Sequence, residues 1–192
     1  SWTTGSQAND LDFIDALTDH IANKYNIDEE RIYACGYSNG GFFSQELACQ
    51  LTNKIAAIGS VAANMSTQTV NNCDPSHPVP VITINGTMDN VVQYDGSRPE
   101  GTISHKNTLD YWITFNNMDA EPITSDLQDI NILDGSSVTL YQYLNGDNNV
   151  EIEHYKIVDG GHDWPGTFGN MDIDANTVIW NFVSQFDING KR

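Results

Sequence analysis

Ser38 stands in Gly36-Tyr37-Ser38-Asn39-Gly40, a serine with a glycine two residues to each side. An apolar stretch over 31–37 precedes it, and a helical stretch from about 40 to 51 follows. A serine at a sharp strand-to-helix turn is held in a strained backbone conformation that lifts its hydroxyl above the sheet. The flanking glycines let neighbouring backbone approach without collision. Amides at the start of the following helix point at the same place and suit a developing oxyanion. The chemistry this predicts is nucleophilic attack by a serine on an acyl carbon.

An activated serine needs a base, and the base needs a carboxylate to orient it. His162 lies in Gly160-Gly161-His162-Asp163-Trp164-Pro165-Gly166, a tight turn with two glycines before the histidine and a proline after it. Asp89 closes Gly86-Thr87-Met88-Asp89. Ser38, Asp89 and His162 each follow a strand-like run. They therefore fall on one edge of a sheet, where sites form in open parallel sheets. Other candidates fit less well. His20 is mid-helix, His77 sits in a loop before Pro78, His105 opens a helix, and His154 lies within a strand, where a structural role is expected. Asp95 is the second choice for the acid. Asp163 is too close to His162 in sequence to reach its ring nitrogen in the required geometry.

The elements that must position these groups alternate. Leu11, Ile14, Leu17, Ile21 and Tyr25 recur every three to four residues, which predicts a helix over 10–25 with Asn9 or Asp10 as N-cap. Strands are predicted at 31–37, 55–63 and 79–85, all without a polar face, as expected when both sides are covered. Helices follow at 40–51 and 104–117. The alternating stretches 138–144 and 150–158 flank Asn145-Gly146-Asp147-Asn148-Asn149, a hairpin signal. An amphipathic helix over 175–186 closes the chain, and 118–137 matches no pattern. The fold class is α/β, a mostly parallel sheet with helices on both faces.

The 192 residues suit one domain. Eight Lys and Arg against 26 Asp and Glu give a net charge of −18, which disfavours nucleic acid and anionic membrane surfaces as partners. No apolar run approaches the roughly 20 residues of a membrane-spanning helix. Three cysteines without a CxxC pair suggest neither a disulfide scaffold nor a zinc site, and the chemistry above needs no metal or organic cofactor. The start, Ser1-Trp2-Thr3-Thr4-Gly5, is not a signal peptide and lacks Met, so a processed or truncated start is expected.

Three separated segments resemble the polyhydroxybutyrate depolymerase and feruloyl esterase-like branch of the α/β-hydrolases. They are DEERIYACGYSNGGFFSQELACQ, CDPSHPVPVITINGTMDNVVQYDG and GGHDWPG, in that order. The resemblance implies an α/β-hydrolase fold with Ser38 as nucleophile, Asp89 as acid and His162 as base, in the chain order usual for that fold. It implies the Asn39 N–H as one oxyanion donor. It also implies an ester substrate: a short acyl ester, a feruloylated or acetylated polysaccharide, or a hydroxyalkanoate polyester. Many such proteins are secreted. Cys49 and Cys73 resemble positions that a disulfide ties together, worth roughly 3 kcal/mol for that loop length.

In that fold, strands and a loop carrying the second oxyanion donor precede the helix at 10–25. The chain is therefore expected to be the C-terminal portion of a larger domain, with 31–37 an exposed edge. Trp164 and Tyr37 are candidates for walls of an acyl or sugar pocket, or for loop packing, and Cys35 for a buried small hydrophobe. A peptidase on the same fold and a non-catalytic polysaccharide-binding module are the alternatives. Oligomeric state is not legible.

Overall fold

Residue 2 and residues 9–192 are described by the computed structural model. In chain order the first elements are α1 (Asn9–Lys24), β1 (Ile32–Tyr37), α2 (Asn39–Gln50), β2 (Ile55–Val61), α3 (Thr67–Asn71) and β3 (Val81–Gly86). Then come α4 (His105–Phe115), β4 (Ile123–Asp126), β5 (Ser137–Tyr143), β6 (Ile152–Val158), α5 (Ala175–Val183) and a two-residue pair, β7 (Phe186–Asp187) with β8 (Gly190–Lys191). The main sheet runs β1-β2-β3-β6-β5-β4. Its first four strands are parallel neighbours, and β5 and β4 return antiparallel beside β6. All residues of β2 and β3 are buried, which is why those runs carry no polar alternation.

Helices cover both faces. Ile179 and Phe182 of α5 join Ala57, Val61, Ile82 and Ile84 on one side. Phe43 and Leu47 of α2 and Trp112 of α4 join Ile58, Val81 and Ile152 on the other. Side-chain caps set where three helices begin: Ser66, Ser104 and Asp174 accept from the amides of Thr69, Asn107 and Thr177. A disulfide joins Cys49, at the end of α2, to Cys73, just past α3, with 4.5 Å between their Cα atoms.

Two expectations differ from the structure, and two short elements carry no sequence signal. Asn9 and Asp10 are already helical, so α1's capping position lies outside the described residues. Cys35 is exposed rather than buried. Among the described residues its strand pairs with β2 alone, and α5 packs chiefly over β2 and β3, meeting β1 where Trp180 packs edge-on against Tyr33. The strand β4 falls inside the unread stretch 118–137. It is a four-residue edge strand, exposed throughout, so it has no buried face to leave a period-two signature. Finally, α3 is only five residues long, too short for a helical stripe.

Two of the passed-over histidines are core residues. His105 and His154 are buried with their rings 4.1 Å apart. Asn64 Oδ1 lies 3.2 Å from His105 Nδ1, which assigns a proton to that nitrogen. His105 Nε2 then accepts from His154 Nδ1 at 3.1 Å, and His154 Nε2 accepts from the Tyr94 hydroxyl at 2.7 Å. Both rings are neutral in this pattern. Burial holds His105 down to about 3 and, together with the neighbouring His105, holds His154 well below the usual histidine range.

An unfolded chain protonates these imidazoles near pH 6.5 while the folded one does not. Stability is therefore present above that pH and is lost as pH falls below it, with a slope of up to about 1.4 kcal/mol per pH unit for each histidine. Two of the imidazole signals followed by NMR should not titrate between pH 8 and 4.5. Ordinary titration of all five would contradict the assignment.

Candidate active site

Parallel order brings the carboxyl ends of β1, β2, β3 and β6 to one edge, and the residues that follow β1, β3 and β6 are Ser38, the 86–89 turn and the 159–166 turn. Ser38 caps α2 with φ 53° and ψ −117°, a left-handed conformation that a serine holds only where its surroundings impose it. Its N–H donates to the Val61 carbonyl at 2.9 Å, which fixes the turn to the end of β2. A Cβ on Gly36 would lie 2.3 Å from the Gly40 carbonyl carbon, so strand and helix meet backbone to backbone there. The second glycine of the motif behaves differently from expectation. A Cβ on Gly40 would meet nothing within 4 Å, whereas one on Gly41 would stand 2.7 Å from the Ala63 Cβ. The close approach on the helix side belongs to Gly41.

The aspartate and histidine turns are stitched to each other because β3 and β6 are neighbours. Met88 N–H donates to the Gly160 carbonyl at 2.8 Å, and Asp159 N–H donates to the Thr87 hydroxyl at 2.9 Å. A Cβ on Gly86 would collide with the Gly161 and Gly160 carbonyl oxygens at 2.3 and 2.4 Å. From this base His162 reaches toward Ser38. Its Nδ1 lies 2.7 Å from Asp89 Oδ2, and its Nε2 lies 2.9 Å from Ser38 Oγ. The other Asp89 oxygen accepts from the amides of Val91 and Val92, both at 2.8 Å, so three hydrogen bonds orient the buried carboxyl. Asp89 Oδ2 accepts from Nδ1, which leaves Nε2 free to take a proton from Ser38.

Asp95 stands apart. Exposed, it accepts from the Ser97 amide and hydroxyl, contacts that hold its carboxyl below the usual range. Asp163 accepts from the Gly161 amide at 2.9 Å and shapes the histidine turn from within.

Tyr37 and Trp164 do not line the space beside Ser38. The Tyr37 hydroxyl donates to the His162 carbonyl at 2.7 Å, and its ring packs on those of His162, Trp164 and Phe168. Burial, with Asp89 and Asp163 nearby, raises the Tyr37 pKa, so the hydroxyl remains a donor. Trp164 lines a separate groove with Cys35 and Trp180. The cavity at Ser38, about 360 Å³, is instead walled by Phe42, Ser66, Val91, Val92, Pro99 and Thr102. None of these was singled out from the sequence, because each is an ordinary loop or helix residue until the 90–102 loop folds over the start of α2.

Asn39 occupies the first turn of α2, where main-chain amides lack intrahelical acceptors. Its side chain grips the main chain of Trp2: Trp2 N–H donates to Oδ1 at 2.6 Å, and Nδ2 donates to the Trp2 carbonyl at 3.1 Å. The Trp2 indole stacks on Phe43. Among the described residues no cluster of three His, Cys, Asp or Glu is placed to hold a metal ion, and no helix is long and apolar enough to cross a membrane.

Feruloyl esterase B of Piromyces equi is 29% identical over 201 residues, covering 98% of this chain and 34% of that protein. The bifunctional acetylxylan esterase/xylanase XynS20E of Neocallimastix patriciarum is 29% identical over 181 residues, covering 94% of this chain and 24% of that protein. Among solved structures, the acetyl xylan esterase from Aspergillus awamori superposes with a TM-score of 0.59 at 11% identity, covering 91% of this chain and 66% of that one. The chain is similar to the feruloyl esterase-like branch of the α/β-hydrolases. It spans about a third or less of the length of the two curated relatives described here. No protein-family profile matches it.

The two glycines of the Gly36–Gly40 turn should respond unequally. Gly36→Ala forces backbone apart and is expected to lower stability by roughly 2 kcal/mol or more, whereas Gly40→Ala should stay within about 0.5 kcal/mol. Urea denaturation of both variants measures the difference; equal losses would contradict the packing described.

Proposed function

We propose that the chain is the catalytic part of a serine carboxylic-ester hydrolase acting on acyl groups carried by polysaccharide. The observation that carries this reading is the continuous hydrogen-bonded line from Asp89 through His162 to Ser38, at 2.7 and 2.9 Å, ending on a serine in a strained turn. The relatives' names, feruloyl esterase and acetylxylan esterase, support the substrate class.

In the proposed reaction Ser38 Oγ attacks the ester carbonyl as His162 Nε2 takes its proton. Asp89 keeps the imidazole in the tautomer that presents a bare Nε2 and stabilises the imidazolium. The Asn39 N–H, at the start of α2, faces the developing oxyanion. His162 then delivers the proton to the leaving alkoxide, the sugar hydroxyl. Water, deprotonated by the same nitrogen, attacks the acyl-serine and releases the acid. Tyr37 and Trp164 act in this scheme by packing the histidine turn rather than by touching substrate. The Cys49–Cys73 disulfide supports an oxidising, extracellular setting.

Ser38→Ala and His162→Ala should each lower kcat/KM for p-nitrophenyl acetate by roughly 10³-fold or more with the melting temperature little changed, and Asp89→Asn should follow with a loss of similar order. Stopped-rate assays on folded variants test this. Hydrolysis that survives Ser38→Ala would overturn the mechanism.

A further inference from the structure

Ser66 lines the cavity at Ser38 and is tied to a buried carboxyl group behind the cavity wall. Thr69 Oγ1 donates to Glu46 Oε2 at 2.7 Å, and Ser66 Oγ lies 2.8 Å from Thr69 Oγ1. Both Thr69 and Glu46 are about 1% exposed. A hydroxyl carries one hydrogen, and Thr69 spends its own on Glu46. Thr69 Oγ1 must therefore accept from Ser66, so the Ser66 hydrogen points away from the cavity. Ser66 Oγ also accepts from the Thr69 amide at 2.9 Å. One lone pair is left on Ser66 Oγ, and no described protein donor takes it.

The buried carboxyl thus sets the direction of the whole chain of hydrogen bonds. Burying such a group opposes folding unless it is satisfied, yet Glu46 Oε1 has no hydrogen-bond partner among the described residues. Phe42, Val91, Val92 and Pro99 give the cavity an apolar side and Asn39, Glu100 and Thr102 a polar one; to these Ser66 adds an acceptor whose own hydrogen is committed to Thr69.

We infer that Ser66 is a specificity-determining residue: a directed acceptor for a hydroxyl group of the substrate, held in that sense by Thr69 and Glu46. This rests on the cavity being the substrate site of the proposed esterase. The same donor chemistry can come from a phenolic hydroxyl on the acyl side or from a sugar hydroxyl on the alcohol side. Either makes a substrate bearing the hydroxyl bind better than its deoxy analogue.

The test reads binding ratios in a Ser38→Ala background, where no turnover interferes. Ligand-observed NMR gives Kd for two pairs: methyl p-coumarate against methyl cinnamate, and acetylated methyl xyloside against cyclohexyl acetate. In one pair the hydroxylated member should bind more tightly, and adding Ser66→Ala should reduce that preference roughly 3- to 10-fold. Which pair responds identifies the acyl or the alcohol side as the source. Glu46→Gln should also reduce the preference, because its amide can donate to Thr69 and reverse the chain. A ratio within one sample does not depend on how much protein is folded. Ratios unchanged by Ser66→Ala in both pairs, or both members of each pair weakened alike, would overturn the inference. Turnover of p-nitrophenyl acetate by the unaltered chain is measured alongside: its absence counts against the esterase reading, while the binding ratios decide the role of Ser66.

Discussion

The imidazole of His162 has to reach a serine that follows β1 from a turn that follows β6, with β2 and β3 between them in the sheet. Every other feature of the site answers that demand. The histidine turn is anchored on one side by the backbone contact of Gly86 with Gly160 and Gly161, and by the Met88 amide. On the other side the Tyr37 hydroxyl holds the His162 carbonyl, so the residue before the serine also grips the residue that faces it. Asp89 fixes the ring's rotation and is itself fixed by two amides. An imidazole held by Asp89, on a residue whose carbonyl is held by Tyr37, would lose little freedom on reaching Ser38, the preorganisation the proposed reaction needs.

The same constraint explains why Ser38, Asp89 and His162, which the structure brings within hydrogen-bond reach of one another, are legible in the sequence while the walls around them are not. Ser38, Asp89 and His162 sit in turns whose glycines and flanking strands are local features, and the parallel order of buried β2 and β3 is legible from their unbroken apolar runs. The cavity is made by the 90–102 loop meeting the start of α2 and Ser66, the cap of α3, a meeting that no local pattern announces. Trp164 and Tyr37 are candidates for pocket walls in the sequence because they lie beside His162 and Ser38 there. In space they turn to the opposite side of the histidine turn and pack on each other.

Exposure was the other weak point. A strand's burial depends on where the sheet ends and where the covering helix stops, both properties of the whole fold. Cys35 lies in an apolar run, yet it is exposed because β1 is the margin of the sheet. Conversely, His105 and His154 are polar residue types that the core accommodates by hydrogen-bonding them to each other, to Asn64 and to Tyr94. The glycine motif shows the same limit on a smaller scale: Gly36 and Gly41 meet neighbouring atoms while Gly40 faces open space, although the pattern treats its two glycines as equals.

The central claim is that Ser38 is the nucleophile and that His162 activates it. The most direct measurement is covalent labelling with a fluorophosphonate followed by peptide mapping. The account predicts one adduct per chain, on the peptide containing Ser38, forming at least roughly 10²-fold more slowly when His162 is replaced by alanine. An adduct on another serine, or labelling of Ser38 at an unchanged rate without His162, would contradict it.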